Sequence, residues 1–112
     1  MTNNHTITFH AWGEEFIATP SFGRYSNGRL AIRLVSEFGE PIVTLTTNLP
    51  DQHLNMDEVF IKNWGENEPA FEALMRAGWL EDTGREVGAG WTEAPACHLT
   101  GPLLDAYSEF MG

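Results

Sequence analysis

Residues 57–86 read DEVFIKNWGENEPAFEALMRAGWLEDTGRE and carry the carboxylates Asp57, Glu58, Glu66, Glu68, Glu72, Glu81, Asp82 and Glu86. Against them stand only Lys62, Arg76 and Arg85. Acids at this density suit acid–base catalysis, metal binding, plain solvation, or the presentation of charge to a basic surface. Glu68 and Glu72, one helical turn apart, form the clearest pair for catalysis or a metal. The plainer reading is that first-turn carboxylates favour the helix macrodipole and that Glu72 precedes Arg76 by four residues. That orientation suits an ion pair of about 0.2–0.5 kcal/mol. A glycosidase needs two carboxyls held roughly 5–9 Å apart in a cleft, and the sequence has no insertion that would build one.

Other reactive side chains are dispersed. His5, His10, His53 and His98 are scattered, and only His98 adjoins the single cysteine, Cys97. Neighbours in a strand point to opposite faces, so this pair serves neither one metal nor a nucleophile and its base. Cys97, alternating with Leu99 and Trp91, reads as a buried, inert thiol. No serine sits in a nucleophile elbow, and GREVGAG at 84–90 matches neither a phosphate loop nor a dinucleotide fingerprint. DTGR at 82–85 reads as a turn, with Gly84, Gly88 and Gly90 serving tight turns. Trp79 and Trp91 read as core or helix-docking residues. Trp64, in the polar loop NWGEN, is either an interface anchor or folded back onto the core.

The charge has a distribution as well as a sign. Across 112 residues the formal charge is −10, yet residues 1–50 hold four acids and three bases while 51–112 hold the other twelve acids and three bases. Phosphate recognition rests on Lys and Arg, so direct binding of nucleic acid or an anionic membrane is excluded as the expectation, and basic partners are favoured. A lone cysteine predicts a reducing compartment, and neither a basic-flanked leader nor 18 consecutive apolar residues occur. The expectation is a soluble cytoplasmic protein without metal or cofactor. With 42% hydrophobic residues, including four Trp, the chain has the material for one modest core.

The elements that must position these acids alternate first and turn helical later. HTITFHAW at 5–12 reads as a strand, EEFIATPSF at 14–22 as a second one stopped at Pro20, and Asn27-Gly28 as a turn. Residues 29–49 form the clearest hairpin, with Leu30, Ile32 and Leu34 on one face. DEVFIKN at 57–63 is a short strand. Asn67 then caps a helix containing Phe71, Leu74 and Met75 and stopped by Gly78. WTEAPACHLT at 91–100 is a final strand that Pro95 confines to a sheet edge. Thr100 and Pro102 open a short C-terminal helix. The fold class is α+β, one domain over 1–112: an antiparallel meander with one central and one short C-terminal helix.

GEPIVTLTTNLP at 39–50, DEVFIKNW at 57–64, TGR at 83–85 and GWTEAPACHL at 90–99 resemble an uncharacterised domain family. Small proteins of that family occur on phages, plasmids and conjugative elements. The likeness covers about residues 29–99 and implies context rather than catalytic residues. By size and charge the chain is also similar to anti-CRISPR and anti-restriction inhibitors. That similarity implies a non-enzymatic DNA mimic in a bacterial host cell, meeting the basic groove of a host nuclease or CRISPR effector complex.

Partner-binding residues on this reading are Asp57, Glu58, Glu66, Glu68, Glu72, Glu81, Asp82 and Glu86, with Trp64 among them. Exposed ion pairs give only about 0.2–1 kcal/mol each, so six of them fall short of the roughly −12 kcal/mol of a nanomolar complex. Carboxylates steer; anchors such as Trp64 or Phe22 must supply affinity. The alternative is a small accessory protein of a mobile element, monomeric or homodimeric through an edge strand near Pro95, whose acidity only keeps it soluble. A carboxylate-dependent hydrolase is the enzyme rival.

Overall fold

The computed structural model describes residues 5–55 and 58–112. Alternation in the first half becomes strand: β1 (Ile7–Ala11), β2 (Glu14–Arg24), β3 (Leu30–Ser36) and β4 (Pro41–Thr44) pair in that order, each antiparallel to the next. In β1, Ile7, Phe9 and Ala11 are buried while Thr8 and His10 are exposed, the period-two signature of a sheet wet on one side. A second sheet has the order β5 (Glu58–Phe60), β7 (Thr92–Leu99), β6 (Leu80–Ala89), again antiparallel. The two are joined where Thr46 bridges Ile61, with the Thr47 amide donating to the Phe60 carbonyl (3.0 Å) and the Lys62 amide to that of Leu45 (2.7 Å).

Two helices complete the α+β fold. A 3-10 turn at Gly65–Asn67 leads into α1 (Glu68–Arg76), with Pro69 in its first turn, where its missing N–H costs nothing. Asn67 is buried but does not cap with its side chain; its Nδ2 donates to the Thr44 carbonyl at 2.6 Å and fastens the start of α1 to β4. Ala70, Ala73 and Leu74 turn inward and join Ile7, Phe9, Val59, Leu80 and Cys97 in the main core. Each fully buried Leu or Ile contributes about 1.5–3 kcal/mol. At the chain end, α2 (Gly101–Met111) buries Leu103 and Ala106 and sets Tyr107 and Phe110 against Phe22 of β2, with ring centroids 6.0 and 5.5 Å away.

Four sequence expectations are corrected. β2 does not stop at Pro20 but runs to Arg24, with Pro20 opposite Leu34. Among the described residues β1 pairs with β2 no further than Ala18, so Pro20 lies beyond that ladder, where a residue lacking N–H is tolerated. Nor does Pro95 mark an edge: β7 is the central strand of its sheet. The Pro95 carbonyl accepts from the Ile61 amide at 3.0 Å, so its missing N–H also faces Ile61, just past the last residue of β5, and not the shifted register of β6. Finally, the glycine-rich stretch assigned to turns is largely β6 itself, and Trp91, expected in the core, is fully exposed in the two-residue turn between β6 and β7.

Candidate protein-binding surface

The bulge in β6 determines where its charges go. Within DTGR the Asp82 Oδ1 accepts from the Gly84 amide (2.8 Å), and the Thr83 hydroxyl donates across to the Ala96 carbonyl (2.8 Å). The shift sets Thr83, Gly84 and Arg85 opposite Ala96 alone; two extra residues leave the alternation of sides intact, and Arg85 points to the second-sheet face that carries Phe60 and Ala96. There its Nη2 donates to Glu58 Oε1 at 3.1 Å and to the His53 carbonyl at 2.9 Å, and the guanidinium lies 5.6 Å from the Phe60 ring centroid.

Glu58 is therefore corrected. Sequence places it among the outward acids, but its side chain is 5% exposed and already satisfied. The backbone amide of Asn55 donates to it at 2.9 Å and the Asn55 side-chain amide at 3.3 Å. These bonds and Arg85 hold its carboxyl below the usual glutamate range, against the opposing effect of burial. His98, its cross-strand neighbour, stands 3.9 Å away. Asp57 lies outside the described residues.

The remaining acids are exposed, and the register sorts them. Asp82 pairs with Cys97 and Glu86 with Pro95, so both point to the side of the sheet occupied by Cys97. Glu93, missed by the sequence reading, shares that side, and its carboxyl faces Glu86 and pushes the Glu86 carboxyl above its ordinary value. Burial and Asp82 push the same way. Glu81 pairs with His98 and points to the opposite side.

The inner residues of α1 share the main core with Cys97, Leu80 and Val59, which lie on the side of the sheet to which Asp82, Glu86 and Glu93 point. The outward residues of α1 include Glu68 and Glu72, with Glu66 just before the helix. Glu68 and Glu72 line an open concavity of about 400 Å³ with His10 and Arg76. Among the described residues Glu72 makes no ion pair with Arg76, contrary to the sequence expectation.

Neither expected anchor is free. Trp64 is half-buried and packs against the small core of Phe60, Ala94 and Ala96. Phe22 is engaged by α2. Cys97 is fully buried, and burial first, then the charge of Asp82, pushes its thiol up to about 12. Among the described residues no three His, Cys, Asp or Glu side chains are arranged to hold a metal ion. No described helix is long and apolar enough to cross a membrane.

These features define an α+β module with exposed acids on α1 and on the β6–β7 hairpin. No protein family, curated protein or solved structure was found to match the chain.

Proposed function

We propose that the protein is a non-enzymatic binding module whose carboxylates substitute for phosphates in the basic groove of a nucleic-acid-targeting complex, as anti-CRISPR or anti-restriction inhibitors do. One observation carries this reading. Asp82, Glu86 and Glu93 share one side of the second sheet, while Arg85, the only base of β6, is turned to the other side and spent on Glu58. Three like charges are thus held on one side of the β6–β7 hairpin with the cation of that strand turned away, whereas Glu68 and Glu72 share their concavity with Arg76. Such an arrangement attracts Lys and Arg and accelerates association. The resemblance of residues 29–99 to proteins of phages and plasmids supports a bacterial host nuclease or CRISPR effector as the target.

A second reading has its own observation. β6 is an edge strand, and charged residues along an edge prevent it from pairing with another chain. On that reading the acids of β6 protect a mobile-element accessory protein that acts by other contacts.

Reversal and neutralisation separate the two. Glu66→Lys, Glu68→Lys and Glu72→Lys together, and separately Glu81→Lys, Asp82→Lys and Glu86→Lys, keep the surface charged while inverting its sign. Capture of nucleases from phage-infected or plasmid-bearing cells is expected to fail with both triple variants while their melting midpoints stay near wild type. Undiminished capture by both, combined with self-association of a Glu81→Ser, Asp82→Ser, Glu86→Ser variant in light scattering, would favour edge protection.

A further inference from the structure

One rim of the strand array repeats a short chemical pattern. Trp12-Gly13-Glu14, Phe38-Gly39-Glu40 and Trp64-Gly65-Glu66 are three aromatic-Gly-Glu triplets, and Gly90-Trp91-Thr92-Glu93 is a variant of them. In each triplet the glycine is left-handed, at φ 77°, 82° and 60°.

The pairing brings them to the same end of the strands. Ala11 pairs with Glu14 around Trp12, and Ser36, which enters the Phe38 turn, pairs with Ala18 of the same β2. β4 runs away from that end. Residues 60–62 pair antiparallel with 45–47, so β5 returns toward the end and delivers Trp64 there. β7 is antiparallel to β5, hence its first residue and the turn holding Trp91 lie at this end as well.

Three of the four rings are uncovered. Trp12 is 55% exposed, Phe38 83% and Trp91 105%. The fold alone does not explain them. Trp12 has φ 53° in a two-residue hairpin turn, where Asn is the favoured residue and a bulky side chain is strained. Trp12 meets Phe16 edge-on with ring centroids 5.4 Å apart and keeps its outer face exposed, while the other exposed aromatic, Phe110, is stacked on Phe22 with the Arg24 guanidinium 5.9 Å from its ring centroid. Around the three exposed turns stand Glu14, Glu15, Glu37, Glu40 and Glu93, and residues 11–15, 36–41 and 89–93 contain no Lys or Arg.

We infer that this rim of exposed rings and carboxylates is the docking surface for a protein face bearing arginine and lysine, with Trp12, Phe38 and Trp91 as its anchors. Charge complementarity selects the occupant. A guanidinium or ammonium lies favourably over an aromatic face and pairs with the adjacent carboxylate, so each turn offers both partners a cation needs. Desolvated aromatic anchors also supply the affinity that exposed ion pairs lack. The inference rests on the proposed basic partner and moves its centre of binding from the β6 acids to the turns.

An octa-arginine peptide titrated into the full-length ¹⁵N-labelled protein at low salt tests it. The indole N–H signals of Trp12 and Trp91 are expected to shift while that of buried Trp79 does not. Trp12→Asn, Phe38→Ser and Trp91→Ser are each expected to weaken binding about tenfold or more. Shifts confined to Glu81, Asp82 and Glu86 amides, with the indoles unmoved, would overturn the rim while leaving the basic-partner reading intact. Absence of any binding would overturn both. Indole shifts that depend on protein concentration alone would make a second copy of the chain the occupant and overturn the assignment to a basic face.

Discussion

Arg85 Nη2 donates to the buried carboxylate of Glu58 at 3.1 Å, across 27 positions of sequence and from the neighbour-but-one strand of the sheet. The pair removes the only base of β6 from the side on which Asp82 and Glu86 stand, so one contact both fixes the interior and sharpens the charge outside.

Breaking that contact is expected to be costly. Arg85→Ala leaves Glu58 charged and buried, with hydrogen bonds from Asn55 only and His98 3.9 Å away, and should lower stability in urea unfolding by about 1–3 kcal/mol. This is below the 3–5 typical of a fully buried pair because the guanidinium is 37% exposed. The pH dependence has a definite sign. With the native carboxyl held below the ordinary 4.5, the unfolded chain binds more protons in acid, and the stabilisation is complete above the unfolded value and is lost as pH falls through the native one. Glu58→Gln should flatten that acid limb in a pH series of melting curves.

Glu86 titrates in the opposite sense. Its carboxyl is raised from 4.5 by Glu93, so the folded protein holds the proton longer and stability falls as pH rises from the unfolded value through the raised one. Glu86→Gln is expected to increase the melting midpoint at neutral pH and leave it unchanged well below pH 4.5. A ¹³C-detected titration of Glu86 with and without Glu93→Gln checks the cause directly.

Gly101 admits no side chain. It has φ 53°, and a Cβ built on it would sit 2.8 Å from the Gly78 carbonyl oxygen, which also accepts the Thr100 hydroxyl at 2.8 Å. Gly101→Ala must therefore either shift α2 or strain the turn after α1. A loss of about 1–3 kcal/mol is expected in chemical unfolding.

Cys97 should be silent until the protein opens. With the thiol buried and pushed up to about 12, almost no thiolate forms near pH 8, and the attacking species in thiol chemistry is the thiolate. Modification by an aromatic disulfide reagent is expected to proceed only in denaturant, with a rate in native buffer that follows the opening equilibrium.

The legible parts of this fold are those whose signals are local. β1 and β3 alternate cleanly, Asn27-Gly28 turns the chain with the Gly28 amide bonded to the Tyr25 carbonyl at 2.8 Å, and α1 starts and stops where Asn67 and Gly78 place it. β6 was obscured because Gly84 and Gly88 read as punctuation, whereas one lies in a bulge and the other in the ladder opposite Glu93. Pro95 misled for a related reason: a central strand tolerates it because the missing N–H faces Ile61, where β5 has ended, and that is a property of two segments together. Burial of Glu58 depends on Arg85 and Asn55 meeting in space, and nothing in DEVFIKN announces it. Trp91 was read by alternation with Cys97, but it belongs to the turn before the strand, where the period no longer applies.

Thr46 sits 1% exposed at the bridge to Ile61 and accepts the Ile32 amide on its hydroxyl oxygen at 3.1 Å, while the Tyr25 hydroxyl reaches its carbonyl at 3.2 Å. The seam between the two sheets is thus only a few residues wide, and its central threonine is clasped from the first hairpin as well. Force or heat that parts the seam must also tear an interior amide from its acceptor, which couples the melting of the front strands to that of the rear ones and makes the molecule come apart as one cooperative unit.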